Sequence, residues 1–194
     1  MAAALRLRYL DTGATYRALT WWLLQQNVDV SDPAAIAADL ARPLIEVGTD
    51  PAAPWTRVDR TDVSAVIRGP EVTGAVSAVA SVPAVRTRLI AMQREIIAAS
   101  GGIVVEGRDI GTVVAPDAAV KVFLTASGTA RAGRRALEDD RAVEVTLGEL
   151  KQRDGKDAPQ SGRAADAVLI DSTTKSLDQV VAEIVAMARR VRHG

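Results

Sequence analysis

The chain has 194 residues, 48% of them hydrophobic, with 24 basic residues against 24 acidic ones. That length buries a core as one domain with room for a small insert, and the balanced charge disfavours polymeric nucleic acid and anionic membranes. There is no cysteine and one histidine, the penultimate His193, which excludes disulfides and thiolate metal sites and argues against histidine-centred catalysis. No apolar run reaches the ~18 residues of a membrane span and no long apolar signal core opens the chain, so a soluble cytoplasmic protein is expected.

In chain order, Arg8-Tyr9-Leu10-Asp11 reads as a short strand feeding a helix through Tyr16, Leu19, Trp22 and Leu23, with Thr12 or Thr15 as its cap. Ala34 to Leu40 reads as a short helix. Apolar and polar residues then alternate around Pro51 and Pro54, which predicts strands near 44–48, 55–59 and 62–64. Pro70 to Val79 and Pro83 to Ala99 show helical periodicity, ended by Gly101-Gly102. The apolar runs at 103–105, 120–124 and 168–170 suggest a parallel sheet covered on both faces. Helices are expected at about 129–138, 147–153 and 176–192, with a loop over 154–163.

Chemistry concentrates at a few places. Gly107-Arg108-Asp109 follows an apolar strand, which sets a phosphate-suited guanidinium and a carboxylate at the carboxyl end of a sheet, where ligands of open α/β folds bind. Gly107 and Gly111 are expected to bend the backbone toward the ligand. Asp11 and Arg17 flank a second strand-to-helix junction and can project toward one pocket rim. Arg131, Arg134 and Arg135 fall at i, i+3 and i+4, one helix face that can address a phosphate. Each has a structural alternative: a capped helix and a packed Tyr16, a structural ion pair at Arg108, a solvated arginine face paired with Glu138 and Asp139.

Taken together, LDTGATYR at 10–17, VSAVASVPAVR ending at Arg86, EGRDIGTVVAPDA at 106–118, VKVFLTAS at 120–127 and RDGKD at 153–157 closely resemble bacterial cytidylate kinases. The resemblance runs from about Leu7 to the final helix. It implies an α/β parallel sheet of the P-loop nucleoside-monophosphate kinase type, with a core at 1–40 and 67–194, a lid at about 131–163 and a small antiparallel β insert at 41–66 that binds CMP. It implies a monomer that transfers phosphate from ATP, with Mg2+, to CMP or dCMP. By resemblance, Arg17 and Arg108 hold the acceptor phosphate, and Ser77, Arg86 and Asp109 read cytosine. Asp11, Thr12 and Tyr16 wall the pocket, Arg131, Arg134, Arg135 and Arg153 close on the transferring phosphate, and Asp157 reaches the ribose.

Two departures stand out. The family's G-x-x-x-x-G-K-[ST] loop does not occur here, and Ala2-Ala3-Ala4-Leu5 resembles the end of the helix that follows it, so the first strand and P-loop are expected to be missing. That strand would lie between those at 103–105 and 120–124, and impaired turnover and marginal folding are expected. In the lid, Gln160 stands where the family places another arginine, with Arg163 nearby but given no firm role. A non-catalytic CMP-binding remnant is the alternative function, and a small-anion kinase of the shikimate type is a third.

Overall fold

The computed structural model describes residues 1–139, 143–158 and 161–193. The chain divides into two compact units, Ala2–Gly107, and Arg108–Gly194 with Met1.

The first unit opens with one helical turn, α1 (Ala2–Leu5), then β1 (Arg8–Asp11) and α2 (Thr12–Gln25). Asp11 is the cap of α2, not Thr12 or Thr15: its Oδ1 accepts the Ala14 N–H at 3.0 Å from an extended backbone, a contact of about 1 kcal/mol. Both threonines are buried instead. Ala14, Ala18, Leu19, Trp22 and Leu23 of α2 pack into a core with Ile36, Ile45, Val58, Ile67, Val79, Val85 and Leu89. α3 (Pro33–Asp39) starts on an Asp32 cap with proline at its first position.

The strand-rich segment forms an antiparallel sheet of β2 (Ile45–Val47), β3 (Thr56–Val58) and β4 (Thr61–Asp62), with Ile45 opposite Val58 and Val58 opposite Thr61. Asp59 and Arg60, the two residues between β3 and β4, have φ of 49° and 70°, the signs that a tight hairpin needs. The Asp59 carboxylate makes this workable: it accepts from the Leu44 N–H and from Trp22 Nε1, tying the turn to α2.

α4 (Pro70–Ser81) and α5 (Pro83–Ala98) each begin on proline. Val82 is extended, as the residue before a proline prefers, and the two axes bend by 97° there. Among the described residues no single helix is long and apolar enough to cross a membrane. Gly101 and Gly102, at φ of 66° and 150°, turn the chain into β5 (Ile103–Glu106), which pairs in parallel with β1, Leu10 opposite Val105 and Asp11 opposite Glu106.

In the second unit a single π-helical turn covers Ile110–Val114, a segment given no element from the sequence. A Cβ at Gly111 would fit tightly there, 3.3 Å from Ala164 and Lys121, and its φ is not positive. Next come β6 (Val122–Thr125), α6 (Gly128–Asp139), α7 (Val143–Asp157), β7 (Val168–Asp171) and α8 (Leu177–His193). Ser176 and Gln179 cap α8 reciprocally, each side chain bonded to the other's backbone N–H. Asp154 to Asp157, expected in a loop, complete α7, so Gly155 is helical.

The fold is mixed α/β with parallel pairing, as expected, but the three apolar runs do not make one sheet among the described residues. β5 pairs with β1, and β6 pairs with β7, Val122 opposite Val168. Nor are both faces covered throughout: Leu124, Val168 and Leu169 are about half exposed. A two-stranded ladder has two open edges, too little surface to bury both sides.

Candidate functional site

In the first unit the junction of β1 and α2 is held by a chain of neutral hydrogen bonds. Thr12 Oγ1 donates to the Glu106 carbonyl at 2.7 Å, Thr15 Oγ1 to the Thr12 carbonyl at 2.7 Å, and Gln93 Nε2 of α5 to Thr15 Oγ1 at 2.9 Å. Gln93 is fully buried, and its Oε1 has no partner among the described residues. The relay fixes the last residue of β5, directly before Gly107-Arg108-Asp109, to the start of α2.

Two charged side chains extend from the same junction and diverge. Arg17 is buried and donates to the Ile67 carbonyl at 3.0 Å and to Thr73 Oγ1 at 2.9 Å. Asp11 Oδ2 meets Arg68 Nη2 at 3.0 Å on the wall of a cavity of about 240 Å3, bounded also by Tyr9, Gly48, Trp55 and Ser64. Of the expected pair, only Asp11 faces this cavity. Gly48 is small of necessity, since a Cβ there would lie 2.3 Å from Trp55 Nε1. Arg57 stacks on the Trp55 ring at 4.5 Å. Burial, and then the bond from its hydroxyl to Glu106 Oε1 at 2.6 Å, hold Tyr9 above the ordinary phenol pKa.

Tyr16 packs against the core of this unit. Ser77 stands in α4 and Arg86 in α5, both half-buried, and neither borders the cavity.

In the second unit the charges converge. Arg108 Nη2 pairs with Asp157 at 3.0 Å and its Nη1 faces Asp154 at 3.8 Å, while Arg131 Nη2 of α6 meets Asp154 at 2.7 Å. Three expected residues, Arg108, Arg131 and Asp157, therefore share one cluster. The fourth, Asp154, was not anticipated: it is 23 positions from Arg131 in sequence, beyond any helical spacing rule. The hydrogen bond to Asp154 raises the Arg131 pKa.

The other arginines of α6 do not join this cluster on the same terms. Arg134 donates to Ser172 Oγ at 3.1 Å and to the Ser172 carbonyl, which clasps the turn after β7. Arg135 lies one residue on. Arg153 is part of α7, but its side chain lies outside the described residues, as does Gln160. Arg163 donates through Nε and Nη2 to the Ala167 carbonyl at 3.0 and 2.7 Å, so it is committed to its own loop. Asp109 is buried, and its carbonyl accepts the Val113 N–H of the π-helical turn. Among the described residues no group of three or more His, Cys, Asp or Glu is placed to hold a metal.

The model of the cytidylate kinase family matches residues 1–190. The chain belongs to the cytidylate kinase family. It is 50% identical to the cytidylate kinase of Streptomyces avermitilis over 198 residues, which cover 99% of this chain and 86% of that protein. It is 51% identical to the cytidylate kinase of Streptomyces griseus over the same shares. A more distant relative, the cytidylate kinase of Lactiplantibacillus plantarum, is 44% identical over 91% of this chain and 81% of its own length. Sequence reading missed Arg68 and Gln93, which no short motif marks, and gave no role to Asp154, which lies within RDGKD.

Proposed function

We propose that the chain is a (d)CMP kinase, which takes a phosphoryl group from ATP to CMP or dCMP to give the diphosphate. The observation that carries this is the family match, which spans residues 1–190 and reaches half identity with relatives over 99% of the chain. In this reading Ser77, Arg86 and Asp109 read cytosine, whose exocyclic amine needs an acceptor and whose carbonyl and ring nitrogen need donors. Arg17 and Arg108 take the acceptor phosphate, with Asp11, Thr12 and Tyr16 around it and Asp157 at the ribose. The 41–66 insert contributes a wall of the acceptor pocket.

Arg131, Arg134, Arg135 and Arg153 neutralise the charge that spreads over the phosphoryl oxygens during transfer. No side chain serves as covalent nucleophile, because an oxygen of the acceptor phosphate attacks in line. Mg2+ enters with ATP as part of the substrate. The 194 residues contain no G-x-x-x-x-G-K-[ST] sequence, so backbone N–H groups of that kind are not supplied to the ATP phosphates by these residues.

That same feature favours a second reading, a CMP-binding protein without phosphoryl transfer. Incubating the chain with Mg·ATP and CMP, and measuring CDP by chromatography beside a calorimetric CMP titration, separates the two. CDP formation establishes the kinase. CMP binding without CDP establishes the second reading, and the absence of both would rule out CMP as the ligand.

A further inference from the structure

The charged cluster of the second unit contains one residue without a role so far. Asp154 contacts two arginines from different elements, Arg131 of α6 at 2.7 Å and Arg108 at 3.8 Å, and Asp157, three residues on in α7, completes the group through Arg108 at 3.0 Å. Two guanidiniums thus face two carboxylates, and the group has no net formal charge. Three of its side chains remain open to solvent, Arg108 44%, Arg131 39% and Asp154 33% exposed, so an anion can reach them, while Asp157 is 13% exposed.

A guanidinium that is to bind a phosphoryl oxygen must first release the acceptor it already holds. A carboxylate offers two oxygens and one charge, whereas a phosphate offers three oxygens and close to two charges, so the phosphate displaces the carboxylate and a singly charged oxyanion does not. The exchange also spares the arginines an empty state in which they repel each other.

We infer that Asp154 is a specificity-determining residue of the phosphoryl site, a resident competitor that occupies Arg131 and Arg108 until a multiply charged phosphate group replaces it. This rests on the reading that those two arginines meet phosphate. Two other roles for the same geometry differ in sign. If Asp154 only orients the arginines, removing its charge weakens anion binding. If it only ties α6 to α7, removing it lowers the melting temperature and leaves anion binding alone.

The test is calorimetric titration of the whole chain with inorganic pyrophosphate, and separately with nitrate as a singly charged oxyanion. Asp154→Asn is expected to bind pyrophosphate about tenfold more tightly than the unaltered chain and to gain measurable nitrate binding, with a melting temperature within a few degrees. Asp154→Glu is expected to keep the native affinities, and adding Arg131→Met to Asp154→Asn is expected to abolish the gain. Unchanged or weaker pyrophosphate binding in Asp154→Asn, a gain that persists without Arg131, or no detectable binding by either protein would overturn the inference. CMP titrated in parallel separates the two levels: failure of the unaltered chain to bind CMP defeats the acceptor reading, whereas CMP binding without a pyrophosphate gain in Asp154→Asn defeats this inference alone.

Discussion

The two units use opposite means to place polar side chains. In Ala2–Gly107 Thr12, Thr15 and Gln93 are buried and locked by short neutral bonds, Gln93 to Thr15 to Thr12 and Thr12 to Glu106, with Arg17 donating to a backbone carbonyl and a threonine. In Arg108–Gly194 the groups are charged, partly exposed and paired with one another. Buried neutral networks hold a shape whether or not ligand is present, while exposed ion pairs contribute little to stability and exchange partners readily.

Burial also differs along the strands, although Ile170 of β7 is as buried as Leu89. Leu89 is fully buried in the first unit, so Leu89→Ala is expected to destabilise by about 2–5 kcal/mol in denaturant unfolding. Leu124→Ala and Leu169→Ala, at half-exposed positions of β6 and β7, should each cost under about 1 kcal/mol by the ~25 cal/mol/Å2 of burial lost. Comparable losses at all three positions would erase the distinction between the units.

Next in size is Gly48→Ala, which drives a methyl into the Trp55 ring and is expected to cost about 1–3 kcal/mol, with a change in Trp55 fluorescence. Smaller again is Asp11→Ala, expected to cost about 1 kcal/mol through loss of the α2 cap, little of it from the exposed Arg68 pair. Arg68→Met in the same assay should therefore be close to neutral, and an equal cost for both would assign the energy to the ion pair.

The smallest effect is a pH dependence. The folded Tyr9 hydroxyl stays protonated above the ordinary value of 10.0, so its contribution is complete below that pH. It is lost as pH rises beyond 10, where the unfolded chain releases the proton and the folded one does not. Tyr9→Phe is expected to flatten this alkaline loss in melting curves taken between pH 9 and 11, and an unchanged slope would assign the loss to other groups.

Much of the architecture is legible in the sequence, where local chemistry and tertiary packing agree. Pro70 and Pro83 mark helix starts, the apolar stripe through Val85 and Leu89 marks α5, and Gly101-Gly102 marks its end. The β3–β4 turn was harder to place, because Asp59-Arg60 lacks the usual glycine and its positive φ values rest on bonds from Leu44 and Trp22, distant in sequence. The π-helical turn and the last turn of α7 likewise contradict local signals, Gly111 and Gly155 having suggested bends. Arg108, Arg131, Arg134 and Asp157 were all singled out from the sequence, but the contacts of Arg134 and Arg163 to carbonyls were not legible, since no side-chain pattern encodes them. Asp154 and Gln93 emerge only when separate elements come together.

Cytosine selection is the claim on which the rest depends. The direct measurement is calorimetric titration of the chain with CMP, and with AMP under the same buffer and salt. CMP is expected to bind at least tenfold more tightly than AMP, with Asp109→Asn removing most of the difference. Equal affinity for the two nucleotides, or binding of neither, would contradict it.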